Sequence, residues 1–370
     1  MPAVTLGPPP KNTTMKHLSS VLSQAGHSPL PLNLPDGSRL LLLPAGGRML
    51  GLFPAGDDEN FLWTNPALAA AASAKAYFAR DGWPNPGGDR TWLAPEIELF
   101  IGDLKRVADT YAVPPALDPG AWQVTAADAA GATLVSTARL SLLQSRRTVE
   151  ARLEKAYRPA ANPLPALAGL CYAGYAQRTT LELEPAAESA TPVRLGVWNL
   201  LQLPPPGEML IPTWSATPPQ VVFGTPAAGE LETEARLVRW RMGGPGGDAK
   251  IALKALPLVG RAGHLCRIAA SDNWSLVVRQ FAVAPAGDYV DALWTDPQDT
   301  GWVFQACCVR SGAERFNELE YHAPAVSTEP GHNRATDESQ VWAFRGPAAT
   351  IAEAARLLLG AGGVAGCGSS

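Results

Sequence analysis

The chain has 370 residues, of which 46% are hydrophobic and 17% charged. Its 30 Lys and Arg against 34 Asp and Glu leave a net charge of −4, which argues against non-specific nucleic-acid binding, since that needs a basic face. Gly and Pro number 35 each, too many for long helices to dominate; the composition is that of a turn-rich, mostly β chain.

In chain order, residues 1–14 are expected to be a disordered lead. Thr13 or Thr14 then caps a predicted helix over MKHLSSVLSQAG, with Leu18, Val21 and Leu22 at helical spacing and Gly26 as its stop. GSRLLLLPAGGRMLGLF reads as two apolar strands around a turn, and its Gly46–Gly47 pair is not followed by the GK[ST] of a P-loop. Ala67 to Ala79 is alanine-rich and predicts a short helix. From about residue 120, strands are predicted at TLVSTARLSLL, RTVEARLEKAY, TTLELEP, KIALKAL, WSLVVRQFAV and GWVFQACCV. In TVEARLEKA, Val149, Ala151 and Leu153 share one face while Glu150, Arg152 and Glu154 share the other, the signature of a sheet with one buried face. Pro/Gly turns join these segments, without the strand–helix alternation that builds a parallel sheet. Ala348 to Leu359 predicts an amphipathic helix with Ile351, Ala355 and Leu358 on one stripe, closed by Gly360. Residues 361–370 are expected to be a flexible tail, and residues 15–360 a single domain.

The five cysteines, Cys171, Cys266, Cys307, Cys308 and Cys367, are odd in number and form no CxxC, so neither a zinc site nor a disulfide framework is expected. The N-terminal stretch lacks a basic region followed by an apolar one. The longest uncharged run, 209–229, carries Pro212, Pro218, Pro219 and Pro226 and does not suit a membrane-spanning helix. A cytoplasmic protein with no membrane partner is expected. The oligomeric state is not legible.

Polar residues embedded among aromatics mark the candidate site. In NPGGDRTWLAPEIELF, Asp89, Arg90 and Glu96 flank Trp92, and Arg90 shares a strand face with Trp92. An indole stacks on the apolar face of a pyranose while a guanidinium donates to its hydroxyls; a buried Asp–Arg pair tying a loop to the core is the other reading. In GVWNLLQLPPPGEMLIPT, Trp198 and Gln202 share a face, suiting polyol recognition or ordinary core packing. In FNELEYHAPAV, period-two spacing puts Glu318, Glu320 and His322 on one face and Leu319 and Tyr321 on the other. Three titratable groups in an apolar strand are costly to bury unless paired or functional, and a Glu near a His is a workable acid–base set. Arg48, Lys250 and Arg279 are lone bases beside apolar strand residues, able to aim into a cleft or to snorkel from a sheet edge. The other histidines make no metal triad and no HExxH.

GGRMLGL, NPGGDRTWLAPE, WNLLQLPPPGEMLIPT and FNELEYHAPAV, in this order over about residues 30–345, resemble the galactose-mutarotase-like (aldose 1-epimerase-like) superfamily, and within it a bacterial branch. The resemblance implies a β-supersandwich of large antiparallel sheets with a few short helices and a sugar cleft on a concave face. It also implies an early Arg, a central His pair and a late Glu that opens the ring with a His as acid. Arg48 matches the early Arg, and Glu318 or Glu320 the late Glu. The central His pair has no counterpart: Asp89 stands where relatives carry a His after Gly–Gly, and residues 120–260 contain no His.

The expectation is therefore a carbohydrate-binding protein, with Glu320 or Glu318 as base and His322 as acid if it is an epimerase. Arg48, Arg90 and Lys250 would orient hydroxyls, Trp92 and Trp198 would stack on the ring, and Asp89, Glu96, Gln202 and Arg279 would line the cleft. Proton transfer alone opens a ring, so no metal or organic cofactor is called for. The rivals are a non-catalytic sugar binder or sensor, and a polysaccharide lyase or hydrolase using Asp89, Glu96 and Glu320 as paired carboxylates.

Overall fold

The computed structural model describes residues 14–56, 59–186, 191–244, 246–268 and 271–362. The expected lead up to Thr13, the tail from residue 363 and Cys367 lie outside the described residues. The alternating segments pair into two ten-stranded sheets, every ladder antiparallel. The spatial order of the first is Leu30–Asn33, Arg39–Leu43, Arg48–Phe53, Asp89–Ala94, Arg194–Leu203, Phe316–His322, Trp302–Val309, Ala249–Lys254, Gln220–Phe223, with Val326–Ser327 also on Arg194–Leu203. The order of the second is Leu231–Thr233, Leu237–Arg241, Glu208–Pro212, Arg261–Arg267, Asn273–Phe281, Arg334–Pro347, Cys171–Leu183, Arg147–Pro159, Gly131–Leu142, Gln123–Asp128.

The sheets pack through one shared core. Leu42, Leu52, Leu201 and Leu319 of the first meet Leu134, Val277 and Val341 of the second, all buried. Each such side chain contributes about 1.5–3 kcal/mol. The two-sheet, mostly β architecture is the one the sequence predicts. The helix Met15–Gln24 is capped as expected, Thr14 Oγ1 accepting from His17 N at 3.2 Å. The alanine-rich stretch splits into a 3-10 turn, Pro66–Ala69, and a helix, Ala71–Phe78. The last helix, Ala348–Leu359, ends at Gly360 in the left-handed region. Among the described residues no helix is long and apolar enough to cross a membrane, and Cys171, Cys266, Cys307 and Cys308 are free thiols.

A polar layer also runs between the sheets. Arg279 Nη1 donates to Asp89 Oδ1 at 2.8 Å, Tyr175 donates to Asp89 Oδ2 at 2.6 Å, and Arg279 Nη2 reaches Ser339 Oγ at 3.0 Å. Asn199 Oδ1 accepts from Thr91 Oγ1 and Gln177 Nε2, and Tyr321 donates to Asp337. This layer changes two assignments. Asp89 and Arg279 are a fully buried inter-sheet pair. Successive strand residues point to opposite faces, so Asp89 cannot share a cleft with Arg90 and Trp92 on the same strand.

Candidate functional site

The face of the first sheet turned away from the second collects the remaining predicted residues. Two glycines set its register. Gly87 and Gly88 have φ of 100° and 79°, and a Cβ on them would fall 2.3 Å from the carbonyl oxygens of Trp63 and Met49. The tight turn starts the strand Asp89–Ala94 with Arg90 and Trp92 facing outward. From there the ladders build three cross-strand rows: Gln202, Glu318, Cys307 and Lys250; then Arg90, Leu200, Glu320 and Gln305; then Trp92, Trp198 and His322.

Charges on this face are paired and buried. Arg90 Nη1 donates to Glu318 Oε1 at 2.7 Å, which also accepts from Gln202 Nε2 at 2.9 Å. Lys250 Nζ and Trp198 Nε1 both lie 3.0 Å from Glu320 Oε2. Arg48 is 1% exposed and pairs with Asp118, to which Trp92 Nε1 donates at 2.9 Å. Glu96 accepts from Tyr111 Oη at 3.1 Å, and its backbone N–H donates to Asp291 Oδ1 at 2.9 Å. Asp291 Oδ2 accepts from Gln305 Nε2 at 2.7 Å and lies 3.5 Å from His322 Nε2.

Burial tunes these groups. It pushes the Glu320 carboxyl up to about 7, against the pull of the Lys250 ammonium. It works against charge on Lys250, but the carboxylates of Glu320 and Glu96 outweigh it and hold the ammonium firmly protonated. Burial raises Glu96 and Asp291 as well. His322 is driven well below its usual range, first by burial and then by Lys250. Both effects disfavour the imidazolium and so weigh against His322 as the acid.

The aromatic assignments also change. Trp198 stacks on His322, with ring centroids 5.3 Å apart, and carries the Lys250 ammonium 4.8 Å from its own centroid. Trp92 lies under the Arg90 guanidinium at 4.1 Å and against Phe100 at 4.8 Å. Both indoles are buried and their faces are occupied, so neither offers a free platform to a sugar.

Glu318, Glu320, His322, Arg48, Arg90, Trp92, Glu96, Trp198, Gln202 and Lys250 thus belong to one face and its cover, and Asp89 and Arg279 do not. Sequence reasoning missed Trp83, Asp118, Asp291 and Gln305. Gln305 carried a signal, as the one polar residue in the apolar run WVFQACCV. Asp118 and Asp291 sit in turn-rich stretches where an Asp is unremarkable.

Cys307 Sγ and the Glu318 and Glu320 carboxylates lie within 4.8 Å of one another, a spacing a metal ion could bridge. Each carboxylate already holds a cation, however, and burial raises the thiol well above its usual range, so the donor set fits a cation poorly. Two surface hollows, of about 230 and 470 Å³, lie elsewhere; the first includes Arg139 and Arg147, the second Arg158, Arg178 and Gln340.

No protein-family model and no curated protein sequence matches the chain. In structure it is similar to galactose mutarotase-like and aldose 1-epimerase proteins. A galactose mutarotase-like protein from Lactobacillus casei is 11% identical, with a TM-score of 0.49 over 85% of this chain and 100% of that one. A putative aldose 1-epimerase from Escherichia coli K12 is 12% identical, with a TM-score of 0.46 over 86% and 99%. An aldose epimerase homologue from C. elegans is 11% identical, with a TM-score of 0.43 over 87% and 99%. At such identities the likeness is one of fold alone.

Proposed function

We propose that the outer face of the first sheet binds a carbohydrate, and that Glu320 moves the anomeric proton of a reducing sugar. One observation carries the reading. Among the described residues, seven buried polar atoms on this face and its cover have no hydrogen-bond partner: Trp83 Nε1, Arg90 Nε, Gln202 Oε1, Gln305 Oε1, Glu320 Oε1 and both ring nitrogens of His322. An unmet buried group costs about 1–3 kcal/mol, and a ligand that supplied partners to them would recover it. The set mixes donors and acceptors. A hydroxyl is both, and a polyol presents several at once.

The chemistry follows from Glu320. Its Oε2 is held by Lys250 and Trp198 while Oε1 is unpartnered. A carboxyl poised near neutrality both accepts and returns a proton. In the carboxylate form Oε1 takes the anomeric hydroxyl proton, the C1–O5 bond breaks, and the same proton passes to the ring oxygen, which is attached to the same carbon. Reclosure on the other face of the aldehyde reverses these steps. The resemblance of Arg48 to the early Arg of mutarotases, and of Glu318 or Glu320 to their late Glu, supports this reading. Neutral His322 serves as a hydrogen-bonding edge.

The lack of a central His pair and the clamp of Lys250 on Glu320 favour a second reading, a binder that has no turnover. The lyase or hydrolase reading loses Asp89, which lies on the opposite face, and keeps only Glu96 and Glu320 as its carboxylates. Polarimetry of freshly dissolved α-D-glucose and α-D-galactose, with calorimetry on the same sugars, tests the proposal. Mutarotation faster than the buffer control, lost in Glu320→Gln, supports it. Heat of binding without acceleration leaves the binder reading. Neither heat nor acceleration with a panel of mono- and oligosaccharides overturns both.

A further inference from the structure

The paired charges of this face are shut in: Arg48 is 1%, Arg90 3% and Glu318 6% exposed. Anything that binds them has to move a cover. Trp83 is the half-buried ring of that cover. Its indole lies across two arginines at once, with the Arg48 and Arg90 guanidinium carbons 5.5 and 5.3 Å from its centroid, and meets Trp92 edge-on at 5.2 Å. Its Nε1–H is buried yet has no acceptor.

The flanks of this loop are fastened and its middle is not. On one side Arg80 donates to Tyr77 Oη and Glu314. On the other, Asn85 N donates to Tyr77 Oη, Asn65 N to the Pro86 carbonyl, and Gly88 N to the Trp63 carbonyl. Between them a single hydrogen bond, 3.3 Å from Arg80 Nη2 to its carbonyl, ties down Trp83. Gly82, at φ 85°, has nothing within 4 Å of where a Cβ would stand. The segment therefore has room to turn without disturbing its anchors.

We propose that Trp83 is the ring on which a bound pyranose stacks, and that Gly82, Trp83 and Pro84 swing together to admit it to Arg48, Arg90 and Glu318. An indole over two guanidiniums is held by cation–π attraction, which a sugar's apolar face and hydroxyls can replace: the ring keeps an apolar partner, and the guanidiniums gain acceptors. Trp92 and Trp198, with both faces covered, cannot take this part. The stacking role rests on the carbohydrate reading above; the gating role does not.

Two readouts on the full chain separate the roles. The first is the rate at which phenylglyoxal labels Arg48 and Arg90, mapped by peptide mass, with the inter-sheet Arg279 as internal control for unfolding. The second is calorimetry with D-glucose and D-galactose. Trp83→Ala is expected to label Arg48 and Arg90 about tenfold faster than wild type and to bind sugar about tenfold more weakly, the value of one lost aromatic contact. Trp83→Phe is expected to stay close to wild type in both. Unchanged labelling in Trp83→Ala overturns the gate, and unchanged affinity overturns the stacking. Faster labelling with no sugar heat even in wild type upholds the gate and sinks the carbohydrate reading. If Arg279 is labelled too, Trp83→Leu replaces the alanine variant and is judged by the same outcomes.

Discussion

Lys250 reaches across two strand positions to hold Glu320 at 3.0 Å, and the two charges are sealed from water together. A buried pair is fragile to the loss of one partner and tolerant of the loss of both. Lys250→Met is expected to lower the unfolding free energy by about 3–5 kcal/mol, because it strands Glu320. Adding Glu320→Leu to it restores most of that. Urea unfolding of the two singles and the double measures the cycle; strictly additive losses refute the coupling.

Stability and turnover are expected to respond to pH in opposite directions. Burial lifts Glu320 from its ordinary 4.5 to about 7. Between those values the folded chain holds a proton that the unfolded chain has released, so this contribution to stability is whole below pH 4.5 and fades as pH rises to 7. Proton abstraction needs the carboxylate, so mutarotation rises over the upper part of that window. Polarimetric rates from pH 5 to 8, and the urea midpoint of wild type relative to Glu320→Gln over the same range, test both halves. A rate that falls from pH 6 to 7.5 argues against Glu320 as the base.

Asp89 and Arg279 give a prediction that separates core from cleft. Asp89→Asn leaves the Arg279 guanidinium buried without its carboxylate and is expected to cost about 3–5 kcal/mol. Sugar affinity in the folded fraction is expected to be unchanged, because Asp89 faces the second sheet. A selective loss of affinity at full stability would return Asp89 to the site.

That pair also shows what the sequence carried and what it did not. Period-two spacing in FNELEYH and RTWLA correctly grouped Glu318, Glu320 and His322, and Arg90 with Trp92, because alternation is a local property of a strand. It does not say which face meets the other sheet, and expecting both Asp89 and Arg90 in the cleft overlooks that a strand parts neighbours. The partners Asp118 and Asp291 come from loops whose path depends on long-range packing. The neutrality of His322 depends on its burial, which no short window of sequence shows.

The same alternation that buries Val149, Ala151 and Leu153 also turns Lys155 inward, and this gives the sharpest stability test. Lys155 is fully buried; its ammonium donates to the Gly47 carbonyl at 2.7 Å and lies 5.7 Å from the centroid of the Trp122 ring. Burial, only partly offset by Asp89, pulls its pKa from 10.5 to about 7. A depressed base contributes stability that is whole above pH 10.5 and is lost as pH falls toward 7. The unfolding free energy of wild type relative to Lys155→Met is therefore expected to climb by up to about 1.4 kcal/mol per pH unit between 7 and 10. Taking the difference between the two proteins cancels the other groups that titrate in this range. At pH 7, Lys155→Met is expected to match or exceed wild type, because it removes a charge that the interior holds poorly. Parallel stability profiles for the two proteins over that range would show that Lys155 carries its full charge in the fold.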